Sequence, residues 1–378
     1  MNSTERRELR YARRKAKRNQ KKRRKIEAAD NFDAVFTYEN LYNAYKKCRK
    51  GVSWKSSVQK YIVTAPIGII QTFQRLQNGT YKSPGFYEFN VCERGKVRHI
   101  RSTVIGERVV QRCLCDNSLV PAFTRSFIYD NGASMANKGY SFAIRRLEQH
   151  LHEHYRKYGQ SGYVLTFDFS KFFDNISHSI IKRELDRTFE DDRIKRICTH
   201  FVDAFGDIGL GLGSQVSQVL SLVSANRLDH YIKEVLRIRG YARYMDDGYL
   251  IHPSKEYLRE CLAEIKRICG ELGIKLNEKK TQIIKLSHGF TFLKARVFLT
   301  PSGKVVKKIC KESITRERKK LKAIKRLLLQ GKVTYLDAYN SWQSWRAHAK
   351  QFDAWHSTQS IRRLYDILFV FEEEKNVY

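Results

Sequence analysis

Apolar and polar positions along this chain follow two periods, and the switches between them mark its elements. From residue 33 to about 80, Leu41, Ala44, Tyr45 and Cys48 recur three or four residues apart, as on one face of a helix. Phe86–Cys92 and Val97–Ser102 read as two strands flanking Glu93-Arg94-Gly95-Lys96, a hairpin tip rich in positive charge. Helical spacing returns over 104–119 and 139–157, and Tyr163–Phe167 is a short apolar run that predicts a buried strand. A helical stretch to about 205, a glycine-rich turn at 209–213 and another helix to about 237 follow. Tyr241–Met245 and Gly248–His252 predict a second hairpin, closed by Asp246-Asp247. Ser254 is the expected N-cap of a helix whose face is Leu258, Cys261, Leu262, Ile265 and Ile268. Short strands at 282–286, 290–299 and 304–309 precede about 65 residues of helical pattern. Strands alternating with helices, plus two hairpins, predict an α+β fold with a helical appendix.

Composition narrows the class. Of 378 residues, 42% are hydrophobic and 12% aromatic, so the chain can bury a core. It contains no apolar run long enough to span a membrane, and its densely charged start lacks the apolar core of a secretory signal; an intracellular, cytoplasmic protein is expected. Eight cysteines without a CxxC pair predict reduced thiols rather than a disulfide framework or a zinc site. Lys and Arg number 72 against 39 Asp and Glu, a net charge of +33 that calls for an anionic partner, nucleic acid first. Residues 1–27 carry thirteen Lys/Arg and three Glu, a basic arm in which Arg13, Arg14, Lys22 and Arg23 are candidate phosphate contacts. Without that +10 the rest still carries +23.

The chemistry sits in two acidic segments. Asp168 ends the apolar run Tyr163–Phe167, and Tyr244-Met245-Asp246-Asp247 lies between apolar strands. Adjacent aspartates in a hydrophobic ladder repel each other and lose solvent, a cost that divalent cations relieve. Two such ions bridged by carboxylates suit an in-line phosphoryl displacement, and Mg²⁺ suits hard oxygen ligands shared with phosphates. An Asp-Asp pair alone says little. An Asp at a strand end, an aromatic five residues on and Tyr-x-Asp-Asp some 75 residues later say much more.

In the spacing and identity of these motifs the chain resembles the reverse transcriptase family. The resemblance implies a right-hand polymerase: a basic arm over 1–30, fingers over 31–160, a palm over 161–300 with part of the fingers inserted around 177–210, and an α-helical thumb over 301–378. It implies that Asp168 and Asp246 hold two Mg²⁺ ions, with Mn²⁺ as a substitute, and that Asp247 is a supporting carboxylate. Phe173 matches the aromatic that packs beneath the sugar and excludes a ribose 2′-OH. Glu93–Ile100 and Glu107-Arg108-Val109-Val110-Gln111 look like the fingers motifs, in which Lys96, Arg98 and Arg108 would approach the incoming triphosphate. Leu276–Thr281 resembles the motif whose lysine protonates pyrophosphate; Lys280 is the better match, with Lys279 beside it. Gly289–Leu293 is similar to the primer-grip hairpin, with Phe292 and Leu293 in the grip and Lys294 where Gly is expected.

One departure narrows the branch. Gly213 and Ser217 keep the Gly-x-x-x-Ser spacing of the segment that contacts the templating pair, but Gln218 replaces the Pro of retroviral and group II intron enzymes. Gly213 would let backbone approach the nucleotide closely, and losing the Pro restores a backbone donor. This variant is similar to diversity-generating retroelement enzymes and to related bacterial enzymes, including defence-associated members of the unknown groups. Towards the C-terminus, Lys319 and Lys320 belong to a run of cations around Ile314, Leu321, Ile324, Leu327 and Leu328, a face that packs and a face that follows a duplex. Trp342 and Trp345 are read as core, and His348 and His356 have no matching ligand set.

The expected function is an RNA-directed DNA polymerase taking an RNA template and deoxynucleoside triphosphates to a DNA product. A structured non-coding RNA in antiphage defence is the favoured role, and a mutagenic retroelement enzyme the alternative. From a different class, an RNA-binding scaffold has no use for the aspartates. An RNA polymerase has no use for Phe173. An accessory protein or a second copy stays open, and no membrane partner is expected.

Overall fold

The computed structural model describes residues 13–14, 26–93 and 95–370, without the side chains of Glu93 and Lys96. Lys22, Arg23 and the Lys96 side chain thus lie outside the described residues, whereas Arg13 and Arg14 are exposed. Helices α1 (Phe32–Val35), α2 (Tyr38–Arg49) and α3 (Ser56–Gln77) open the fold. Asn31 and Thr37 cap the first two by accepting backbone N–H groups, and α2 buries the predicted face of Leu41, Ala44 and Tyr45. A projecting antiparallel hairpin follows, β1 (Phe86–Glu93) with β2 (Lys96–Thr103). Helix α4 (Ile105–Leu114) runs through one π turn into α5 (Val120–Phe123), and α6 (Tyr140–Tyr158) leads to the central sheet.

That sheet has the order β4-β5-β3-β6 and is antiparallel throughout: β3 is Tyr163–Asp168, β4 Gly240–Tyr244, β5 Asp247–His252 and β6 Gln282–Lys285. Strand alternation divides its side chains between two cores. Leu165, Phe167, Tyr241 and Leu250 join the main core, shared with α7 (His178–Thr188), α8 (Asp192–Asp203), α9 (Gln215–Ser224), α10 (Asn226–His230) and α11 (Lys255–Glu271). Val164, Ala242, Tyr249 and Ile251 face a second core, built with α6 and the three-stranded sheet β7 (Phe290–Phe292), β8 (Ala295–Leu299) and β9 (Val305–Ile309). Covered on both faces, the sheet is a rigid platform. Three helices, α12 (Lys311–Leu329), α13 (Tyr335–Ala349) and α14 (Trp355–Phe369), enclose a third core with Leu321, Trp342, Trp345 and Ile361 inside. No helix among the described residues is long and apolar enough to cross a membrane.

Several expectations change at this level. The stretch 290–299 is two strands, because Leu293 and Lys294, at φ 48° and 65°, form a two-residue turn usually written with Asn-Gly. The helical stretch after β3 breaks where Asp191 caps α8. The other Asp191 oxygen accepts Phe32 N–H at 2.7 Å, and Arg193 forks onto Asp33, which ties α8 to α1. On α12, Leu327 is exposed and Glu317 is buried, while Lys319 and Lys320 face solvent. All eight cysteines are free.

A buried acid ties the platform together. Asp130 meets Arg146, Lys233 at 2.7 Å and His150 at 3.5 Å. Burial alone would raise its carboxyl pKa, but these partners outweigh burial and hold it well below the carboxylate range. A depressed carboxylate stabilises fully above its unfolded pKa of about 4 and loses that contribution as pH falls through the folded value. Asp130→Asn should therefore lower the melting temperature at pH 7, and the gap from wild type should close only below about pH 4. A constant gap from pH 7 down to pH 3 would contradict this account.

Candidate active site

The site begins with strand register. The apolar β3 carries Asp168 out of its buried run at 5% exposure, and Asp168 pairs with Asp247 across β3 and β5. Across β4 and β5, Tyr244 pairs with Asp247, which leaves only Met245-Asp246 for the turn. The hairpin tip is thus Met245-Asp246 and not the two aspartates, and Asp247 opens β5. The Phe169 N–H donates to the Asp246 carbonyl at 3.1 Å. Three carboxylates from two chain segments, the end of β3 and the β4–β5 hairpin, therefore meet at one corner of the sheet.

Their electrostatics follow from that crowding. Burial pushes the Asp246 carboxyl up, and the nearby Asp168 adds to it. Burial, then Asp246, then Asp168 push Asp247 up to about 7. Lys280 and, for Asp246, Arg243 oppose this rise, and Lys280 Nζ stands 2.5 Å from Asp168 Oδ2. Burial would lower the Lys280 pKa, but the three aspartates outweigh it and raise it. The Lys280 segment is held in place because Asn277 N–H donates to the Asp168 carbonyl at 2.7 Å and its amide to the carboxylate at 3.3 Å. Of the two lysines in this segment, Lys280 is the one in contact with Asp168; Lys279 is exposed.

Beneath the turn lies a group that sequence patterning missed. Arg243 is fully buried and forks onto Asp229 of α10 at 2.7 and 2.6 Å, while its Nη1 donates to the Met245 carbonyl at 2.7 Å. Tyr241 donates to the same Asp229 at 2.5 Å. Met245 has φ 55°, a left-handed conformation disfavoured for a bulky residue, and the Arg243 bond holds the peptide that follows it. A basic residue inside a strand reads as solvent-facing; only the packing of α10 under the sheet makes it internal.

The remaining candidates lie on other elements, at different depths. Phe173, half-buried, stands on a 3₁₀ turn five residues past Asp168, and its carbonyl accepts Leu210 N–H at 2.7 Å. Gly213 has φ 112°, and a Cβ there would lie 3.0 Å from the Arg101 carbonyl, so both conformation and the adjoining β2 require glycine. Ser217 is buried and Gln218 exposed in the first turn of α9, which Ser214 caps. Ser214 also donates to Gln111 at 3.0 Å, and Gln111 donates to the buried Glu107 at 3.0 Å. This chain joins α4 to the glycine turn. Arg108 donates to Ser102 at 2.5 Å, and Arg98 is exposed on β2. Phe292 is buried edge-on against Tyr249, which leaves Leu293 and Lys294 at the hairpin tip.

Among the described residues, no three Asp, Glu, His or Cys side chains are arranged to hold a metal ion by themselves. The donor chemistry nevertheless fits magnesium, which takes hard oxygens, keeps waters, and is commonly bound by one or two carboxylates together with substrate phosphates. Two carboxylates made more basic by burial and mutual repulsion gain from a bound cation.

The family described as "Reverse transcriptase (RNA-dependent DNA polymerase)" matches residues 94–297, more than half of the chain and all three aspartates. Protein YkfC of Escherichia coli K12 is 24% identical over 246 residues, covering 54% of this chain and 64% of YkfC. The chain thus spans under two thirds of that relative. Among solved structures, a Candida albicans telomerase with a fragment of telomeric RNA aligns at TM-score 0.48 and 11% identity, over 78% of this chain and 61% of that one. An apo telomerase from Candida tropicalis aligns at TM-score 0.46 and 12% identity, over 64% and 60%.

Proposed function

The chain belongs to the reverse transcriptase family and has its right-hand polymerase fold, and on that premise we propose that it copies RNA into DNA with Asp168, Asp246 and Asp247 at the reacting centre. The observation that carries this reading is the meeting of buried Asp168 with half-buried Asp246 and Asp247 at one sheet corner, with Lys280 against Asp168. The arm, fingers, palm and thumb take the boundaries stated above, with α12–α14 as the thumb.

Asp168 and Asp246 would hold two Mg²⁺ ions, with Asp247 in support. Bound there, such ions lower the pKa of a primer 3′-OH and offset charge on the α-phosphate and the leaving group. Lys96, Arg98 and Arg108 grip the triphosphate, and Gly213, Ser217 and Gln218 line the templating pair. The primer 3′-OH gives up its proton to solvent, and O3′ forms a bond to the α-phosphorus as the bond from that phosphorus to the α–β bridging oxygen breaks. Lys280 supplies a proton to the departing pyrophosphate. Phe292 supports the primer-grip turn from beneath, with Leu293 at its tip.

Extension of a DNA primer on an RNA template tests this reading. Deoxynucleotides should be incorporated in Mg²⁺, and an absence of extension would favour the scaffold reading. Phe173→Val should raise ribonucleotide use relative to deoxynucleotide by about 10- to 200-fold, the range for filling or emptying a small apolar space. An unchanged ratio would remove Phe173 from sugar selection.

The finer role we propose is a cytoplasmic bacterial enzyme that carries a dedicated structured non-coding RNA in antiphage defence. The net charge of +33, the many cations of the arm sequence, the exposed cations of α12, and Gln218 in place of Pro support it. Sequencing cDNA from cells tests it: copies of one non-coding RNA are expected, whereas substituted copies of a coding repeat would favour the mutagenic retroelement.

A further inference from the structure

The central sheet has a second end. The aspartates stand where β3 ends and β5 begins; where β5 ends and β4 begins, a cavity of about 650 Å³ opens between the last turn of α6 and the segment entering β4. Its wall carries Arg156, Lys157, Arg237 and Arg239, all exposed, and Glu153 is the one acidic lining residue. Five residue steps separate Asp247 from His252 at the cavity, about 17 Å along β5.

Two features make this more than a solvated basic face. Arg237 has φ 50° and closes the helix end before β4, with Ile238 N–H bonded back to the Ile232 carbonyl at 3.1 Å. Glycine is the usual residue at such a cap, and here the strained position carries a cation at the cavity wall. Tyr158 is 49% exposed, with its ring beside His154 at 5.1 Å. An exposed ring among cations in a concave wall is the equipment with which single-stranded nucleic acid is held: the ring stacks a base and the cations follow the phosphates. The volume falls within the range of small-ligand clefts, room for one or two nucleotides.

We propose that this cavity, at the opposite end of the sheet from the aspartates, anchors a single-stranded RNA segment outside the template path. This rests on the nucleic-acid reading above, although not on catalysis. The test compares wild type with Arg237→Gln/Arg239→Gln and with Tyr158→Ala. Two ligands are used: a long unprimed single-stranded RNA, and a short primed template that fills only the active site. The double variant should bind the long RNA about tenfold more weakly, with a log–log salt slope shallower by about 1.4, the loss of two single-strand phosphate contacts. Tyr158→Ala should weaken it about fivefold or more with the slope unchanged. Extension of the short template should be unaffected in both. Unchanged affinity for the long RNA, or an equal loss on the short template, would overturn the proposal. So would saturable binding of inorganic phosphate or a nucleoside monophosphate that the double variant abolishes while RNA affinity stays level, since that describes a small-anion pocket. A wild-type protein that binds long RNA but extends no primer would sink the polymerase reading and leave the anchor standing.

Discussion

Asp246→Asn should cut nucleotide incorporation on the order of 10³-fold or more, about 4 kcal/mol of transition-state stabilisation, while the protein stays folded and bound to RNA. The substitution keeps the shape of the side chain and removes the charge that a metal-binding carboxylate contributes. Its effect on stability has the opposite sign. The Asp246 carboxyl is raised by burial and by Asp168. A raised carboxylate costs stability once pH exceeds its unfolded value of about 4, and the cost grows until the folded pKa is passed. At pH 7 the asparagine variant should therefore melt at the same temperature as wild type or higher. Loss of activity with stability kept or gained is the signature of a functional site that strains its fold. Asp247, pushed up to about 7, belongs to the same strained group. Primer extension, filter binding to RNA and thermal melting on one preparation decide the matter. Incorporation within tenfold of wild type would sink the catalytic assignment of Asp246, and joint loss of folding and RNA binding would make the residue structural.

Such strain was readable in the sequence because it breaks a local rule. An apolar strand that ends in Asp168, and a charged pair between apolar strands, conflict with burial unless something binds there. Motif spacing then joined the two segments, and register brought them together. What stayed hidden depends on contacts distant in sequence. Arg243 alternates with apolar neighbours as an outward-facing residue would, and Asp229 looks like an ordinary helix acid; only topology buries both. The turn at Leu293-Lys294 lacks the Asn-Gly that marks a two-residue turn, so 290–299 reads as one strand. Asp191 did carry a capping signal within its acidic run, and that signal ended one helix and began the next.

The pair of Arg243 and Asp229 should be the costliest structural contact in the chain to break. Both side chains are fully buried, and removing one partner leaves an unpaired charge, a loss of about 3–5 kcal/mol. For a protein of this size that corresponds to a melting temperature lower by about 5 °C in Asp229→Asn. Burial would lower the Arg243 pKa, yet Asp229 outweighs it and raises it; in Asp229→Asn that support is lost and the guanidinium, a group that keeps its charge in proteins, is left buried without it. Arg243→Lys separates stability from positioning. An ammonium keeps the charge near Asp229 but lacks the planar fork that serves the Asp229 carboxylate and the Met245 carbonyl together. This variant should remain folded at 25 °C and lose kcat with little change in KM for the nucleotide, because the Met245-Asp246 turn relaxes from its left-handed geometry. Arg243→Met with Asp229→Leu carries the logic further. Replacing both buried charges by apolar groups should recover much of the lost melting temperature. It cannot restore a donor to the Met245 carbonyl, so incorporation should stay low. If activity returned together with stability, the arginine would be a packing residue and the turn would hold its own shape.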